Sequence, residues 1–140
     1  MTKTQITNPR RFGIAALYLI ALLALTGCAS NSSDYRAMVA QIRNDRVRWE
    51  GTHVGVQVRA IGEQEQRVLT AGLACRPYLI EALGDESRYV AAHVILSQMT
   101  RTYTFSAAEW NHLQVNVLAD GHVEIPPGQM PTIQAFWMQH

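Results

Sequence analysis

The chain has 140 residues, 48% of them hydrophobic and 16% charged, with a formal net charge of +1. That length suits one domain with a short leader, and the nearly balanced charge gives no basic field for a nucleic-acid backbone. Two cysteines are too few for a disulfide scaffold.

The first element is the leader. Lys3, Arg10 and Arg11 precede an uncharged, largely apolar run from Phe12 to Thr26. Crossing a bilayer takes about 20 apolar residues, so this shorter run reads as the core of a secretory signal peptide, with an uncleaved signal anchor as the alternative. Leu25-Thr26-Gly27-Cys28 closes the run and resembles the lipobox of bacterial lipoproteins. The resemblance implies cleavage between Gly27 and Cys28, diacylglycerol on the Cys28 sulfur, and acylation of the new amino group. Two or more acyl chains anchor a protein stably, at about 0.8 kcal/mol per buried methylene. Ala29 stands where an Asp would mark inner-membrane retention. The implied location is therefore the periplasmic face of the outer membrane in a Gram-negative cell, and otherwise the outer face of the cytoplasmic membrane.

Residues 28–140 hold nine arginines, no lysine and eleven acidic residues, a net charge of −2 with histidine neutral. "ASNSS" at 29–33 reads as a flexible tether, and the stretch from Cys28 to Asp34 reaches at most about 20 Å. Asp34 is the expected cap of a helix over 35–49, with Met38, Ile42 and Trp49 near one face. Residues 52–72 are expected to be helical. The alternation of Val54, Val56 and Val58 leaves an extended start at 52–58 as the alternative, while the Gln/Glu/Arg-rich second half is helical by propensity.

Residues 71–99, "AGLACRPYLIEALGDESRYVAAHVILSQM", resemble the junction of two HEAT-like repeats, and the resemblance covers about residues 58–100. Pro77 suits the first turn of a short helix, Leu79, Ile80 and Leu83 form its apolar face, and Gly84 can close it in a left-handed conformation. Asp85 or Ser87 then caps a helix whose residues Tyr89 to Leu96 are apolar apart from His93, so that helix is expected to be buried on most sides. Only one junction is present, whereas solenoids need about three repeats, so another part of the chain must cover its open end.

The last forty residues supply that cover. Residues 102–105 could form a strand, and Ser106–Glu109 reads as a capping box ahead of Trp110. "HLQVNVLADGHVEI" at 112–125 alternates on both sides of a glycine turn. A three-residue loop, Ala119-Asp120-Gly121, pairs Val117 with Val123 and Val115 with Ile125. A two-residue loop would set valine against glutamate. Gly121 then takes the left-handed bulge position, and Gln114, Asn116, His122 and Glu124 form a wet face. Pro131 opens a final helix with a stripe of Met130, Ile133, Phe136 and Trp137. The expected fold is mainly α (α+β). It comprises a leader at 1–27, a tether at 28–33, a HEAT-like helical region at 34–101, and a hairpin-and-helix cap at 102–140 within the same domain.

Candidate chemistry is sparse. The five histidines, at 53, 93, 112, 122 and 140, lack i, i+4 spacing and accompanying acidic or cysteine clusters, so no metal is expected. His93 is the possible functional histidine; a core histidine bonded to a carbonyl is the plainer reading. Glu63 and Glu65 diverge on a helix, and Asp85 and Glu86 suit a helix N-terminus. With Cys28 lipidated, Cys75 has no partner in the chain. It is expected as a buried inert thiol, with pairing to another chain as the alternative. No nucleophile elbow, zinc-protease helix or phosphate loop is present. The expectation is a non-enzymatic, lipid-anchored interaction or scaffold module with an envelope protein partner and no cofactor, catalytic residue or nucleic-acid ligand. The alternatives are a small hydrolase or ligand-binding protein with a cleft near His93 or His112, and an envelope-structural lipoprotein.

Overall fold

The computed structural model describes residues 31–52, 55–100 and 110–140. In chain order these form helix α1 over residues 31–39, strands β1 (Val47–Thr52) and β2 (Gly55–Ala60), and helices α2 (Glu63–Ala71), α3 (Arg76–Ala82) and α4 (Tyr89–Met99). Strands β3 (Asn116–Val117) and β4 (Val123–Glu124) and helix α5 (Met130–Gln139) follow. Short 3-10 turns occupy Asn44–Arg46, Gly72–Cys75 and Pro127–Gln129. The class is α+β, with two antiparallel hairpins set among helices.

A helix without a polar face must be enclosed, and α4 is: every residue from Tyr89 to Ser97 is buried. Helices α2 and α3 and both strands of the first hairpin pack on it. The core gathers Ile42 from the turn after α1, Leu79 and Leu83 from around α3, Ile95 and Leu96 from α4, and Ile133 from α5. Each such side chain contributes about 1.5–3 kcal/mol when fully buried. Helix α3 carries Pro77 in its first turn and α5 carries Pro131 there, as their fixed φ favours.

Strands at 47–52 and 55–60 correct the helical expectation for 35–49 and for the first part of 52–72, where the chain is extended as in the alternative reading. They form a hairpin in which Val47 pairs with Ala60 and Trp49 with Val58. Val47, Val58 and Ala60 are buried, while Arg59 and Glu50 form an ion pair on the other face at 3.6 Å. Period-two burial therefore prevails over the helical spacing that the same residues also satisfy, and the Trp49–Val58 pair adds about 0.2–1 kcal/mol. Trp49 thus stands on a strand, not on the face of Met38 and Ile42. From Glu63 onward the chain is helical as expected, ending at Gly72 with φ +65°.

Helix α1 also begins earlier than expected. Residues 31–33 are already helical, so they are not tether, and Asp34 lies inside the helix and does not cap it. Asn31-Ser32-Ser33-Asp34 suits a helix's first turn as well as the position before it. Gly84 is a second correction. The glycines with positive φ among the described residues are Gly72 and Gly121; at Gly84 a Cβ would instead crowd the Gln134 side chain of α5, at 3.0 Å.

The second hairpin keeps the expected register. Val117 pairs with Val123, Leu118 N–H donates to His122 O at 2.9 Å, and Gly121 N–H donates to Leu118 O at 2.9 Å. That closes the loop Ala119-Asp120-Gly121, with Gly121 at φ +83°, the bulge conformation glycine favours. The hairpins abut: Arg48 bridges His122, and Trp49 N–H donates to Gly121 O at 2.8 Å. The expected strand at 102–105 and the capping box at 106–109 lie outside the described residues.

Candidate binding cleft

The first turn of a helix leaves unpaired N–H groups, and α4 receives no capping bond from Arg88 before it. Asn44 supplies it from a distant part of the chain. Its Oδ1 accepts the Val90 and Ala91 N–H groups at 2.9 and 3.2 Å. Its Nδ2 donates to Glu86 O at 2.7 Å, and its backbone N–H donates to Ser87 O at 3.1 Å. Asp85, one of two expected caps, shapes the preceding turn instead, accepting from Arg88 Nη2 at 2.7 Å and from Ser87 N–H at 2.9 Å. Those bonds, led by Arg88, hold its carboxyl down at about 2. Ser87 serves in that turn and does not cap the helix either.

Opposite this corner stands the second hairpin, and between them lies a cleft of about 480 Å³. Asn44, Asp45 and Glu86 form one wall; Asn116, His122 and Glu124, from the expected wet face, form the other. Val90, Val123, Ile125, Pro126 and Pro127 give the cleft an apolar lining. Tyr89 lies at its base and its hydroxyl donates to Ile125 O, tying helix to hairpin. Burial pushes the Tyr89 phenol up, and the Glu86 and Glu124 carboxylates push it further. Among the described residues neither glutamate pairs with a cation, whereas Asp45 faces Arg46 at 3.8 Å.

His122, on the cleft wall, is oriented by Asp120 from the turn beside it. Asp120 accepts the His122 backbone N–H at 3.0 Å and approaches His122 Nδ1 at 3.2 Å. The backbone bond first, and the ring second, lower the Asp120 carboxyl. Among the described residues, no serine, threonine or cysteine lines the cleft, so the His122 ring is held there without a described side-chain nucleophile beside it.

The residues singled out from sequence fall elsewhere. His93 is sealed in the core, where its Nδ1 accepts the Trp137 Nε1–H at 2.9 Å. Its partner is thus an indole, not the expected carbonyl, and among the described residues its Nε2 and the Ser97 hydroxyl have no partner. Burial pushes the His93 ring down to about 3. His112 is exposed at φ +65° and does not line the cleft. The cleft described above is lined by His122, and not by His93 or His112. Cys75 is a buried free thiol, raised by burial. Glu63 is exposed while Glu65 is buried. Among the described residues no group of three or more metal-ligating side chains occurs. Gly27, Cys28 and His53 lie outside the described residues. Sequence reasoning missed both Asn44 and the Asp120–His122 pair; the latter carries a local signal, since an Asp two residues before a polar side chain commonly closes a turn on its own backbone. No protein-family model, no curated protein and no solved structure matches this chain.

Proposed function

We propose that this chain is a membrane-anchored lipoprotein acting as a non-enzymatic protein-interaction module of the cell envelope, attached through lipid on Cys28. In this reading the cleft receives a segment of a partner protein carrying Arg or Lys beside apolar residues. The reading rests on one observation: two carboxylates, Glu86 and Glu124, that pair with no cation among the described residues flank an apolar-lined cleft of about 480 Å³. That volume falls in the range of about 300–1,000 Å³ used for ligand-sized sites. Exposed ion pairs contribute only about 0.2–1 kcal/mol each. The carboxylates would thus steer and select a basic segment, while the apolar lining supplies most of the affinity.

The test is a photo-crosslinking residue at Asn116 of the full chain in intact cells. The expected result is a discrete crosslinked partner whose yield falls severalfold in the Glu86→Gln/Glu124→Gln variant. A yield indifferent to that variant, or no crosslink at all, removes the cleft from the interaction. The Asp120–His122 dyad favours a second reading, a small hydrolase in which His122 activates water. It requires an activity abolished by His122→Ala while crosslinking at Asn116 persists.

A further inference from the structure

The environment of His93 fixes its protonation state. An indole N–H can only donate, so the bond from Trp137 Nε1 at 2.9 Å requires a lone pair on Nδ1. The neutral ring therefore carries its hydrogen on Nε2, which is buried and has no partner among the described residues. Any further proton must go to Nδ1, the atom that holds Trp137.

We propose that His93 is a proton-operated latch for α5: protonation at Nδ1 turns the acceptor of the Trp137 bond into a second donor and frees the C-terminal helix from α4. This device is independent of the cleft.

The latch is placed where it governs one element. Among the residues of α5, only Ile133 and Trp137 are buried, and Met138 is 76% exposed. A helix of ten residues is marginal in water without packing. Its other ties are modest: Arg76 Nη2 donates to Trp137 O at 3.4 Å, and Gln134 lies against Gly84.

Among the described residues, no nearby group offers the imidazolium a counter-charge. Glu65 on α2 is buried but accepts the Arg43 backbone N–H at 2.8 Å. Cys75 is a neutral thiol, and Arg76 beside it is a cation. From α5, His140 stacks on Phe136 with ring centroids 4.2 Å apart. On the surrounding elements, Arg36–Glu81, Arg46–Asp45, Arg59–Glu50 and Arg88–Asp85 are already paired. Among the described residues, the aromatic rings beside His93 are Trp110, 4.3 Å away between centroids, and Trp137, 6.0 Å away and edge-on. A cation on an aromatic face recovers only part of what its desolvation costs, so desolvation prevails. The ring is accordingly held down at about 3, against 6.5 when free.

The sign follows. With α5 open, His93 binds a proton below pH 6.5; with α5 closed, it does so only near 3. Opening therefore gains from every fall in pH within that window, by at most about tenfold per unit. Asp85, held at about 2, weakens the turn before α4 only below the ordinary carboxylate range, so its effect is separable.

Hydrogen exchange of the full chain in detergent micelles, followed from pH 7 to 4.5 and corrected for intrinsic exchange, tests the latch. Peptides covering 130–139 should lose protection by about 10–100-fold, while α4 and the first hairpin keep theirs. In His93→Asn, which retains an acceptor near the Nδ1 position and does not titrate, α5 should stay protected throughout. In Trp137→Phe, α5 should be less protected at every pH, because the bond to Nδ1 is absent while burial still disfavours the charged ring. Protection of α5 that ignores pH, a His93→Asn variant that follows the natural chain, or simultaneous loss in all elements would each overturn the proposal. Should His93→Asn not fold, His93→Gln, which likewise does not titrate, takes its place, and protection of α5 that still falls with pH in it overturns the proposal.

Discussion

Gly62 shows how a single position is constrained by a charge that folds back on it. Glu65 is only 2% exposed, and its Oε1 accepts the Arg43 N–H at 2.8 Å. Its other oxygen occupies the space a Cβ at Gly62 would take. Gly62→Ala should therefore displace the carboxylate and leave a buried charge and an amide unpaired, at a cost of about 1–3 kcal/mol, read as a lower urea midpoint. Gly51→Ala is the control, because a Cβ there meets nothing within 4 Å, and its midpoint should hold or rise slightly. Much at this scale was hidden in the sequence. His93 stood out as the polar interruption of an apolar helix, but its tautomer depends on an indole 44 positions away. Glu65 looked like an ordinary first-turn acid, since nothing local shows that Arg43 returns to meet it.

Among the elements, the second hairpin was legible to the residue because its information is local: the loop length, the glycine and the alternation agree on one register. The first hairpin was not. Its valines satisfy two periodicities at once, and only burial of Val47, Val58 and Ala60 on a common face decides between them. The start of α4 was misread for a related reason. Asp85 and Ser87 have the chemistry of caps, yet the cap comes from Asn44, which no spacing rule connects to Val90. Asn44→Ala should cost about 1–2 kcal/mol, measured by urea unfolding. Asn44→Asp should recover part of that loss, since a carboxylate can still accept both N–H groups and suits the positive end of the helix. Equal losses in the two variants would show that the acceptor at Oδ1 is not what holds the turn.

For the molecule as a whole, the cleft was half legible: the wet face of the hairpin was expected, but the wall opposite it was not, because that wall is assembled from residues 44–45 and 86–90. The proposed anchor has its own test. Cys28→Ala should leave the precursor uncut and unlabelled by radioactive fatty acid, and normal labelling would remove the lipid reading. Since α1 is already formed at residue 31, a lipid on Cys28 would be tied to the helix by a reach of only about 10 Å. The Asn44 cap reaches much further along the chain, across 46 positions to Val90. Contacts of that separation carry a loop-closure cost that must be met before they stabilise anything, and they slow folding. The central helix is thus completed by an encounter between the two halves of the chain. A growing chain that has reached residue 99 without docking its first hairpin holds an apolar helix with an open first turn, the species most exposed to aggregation.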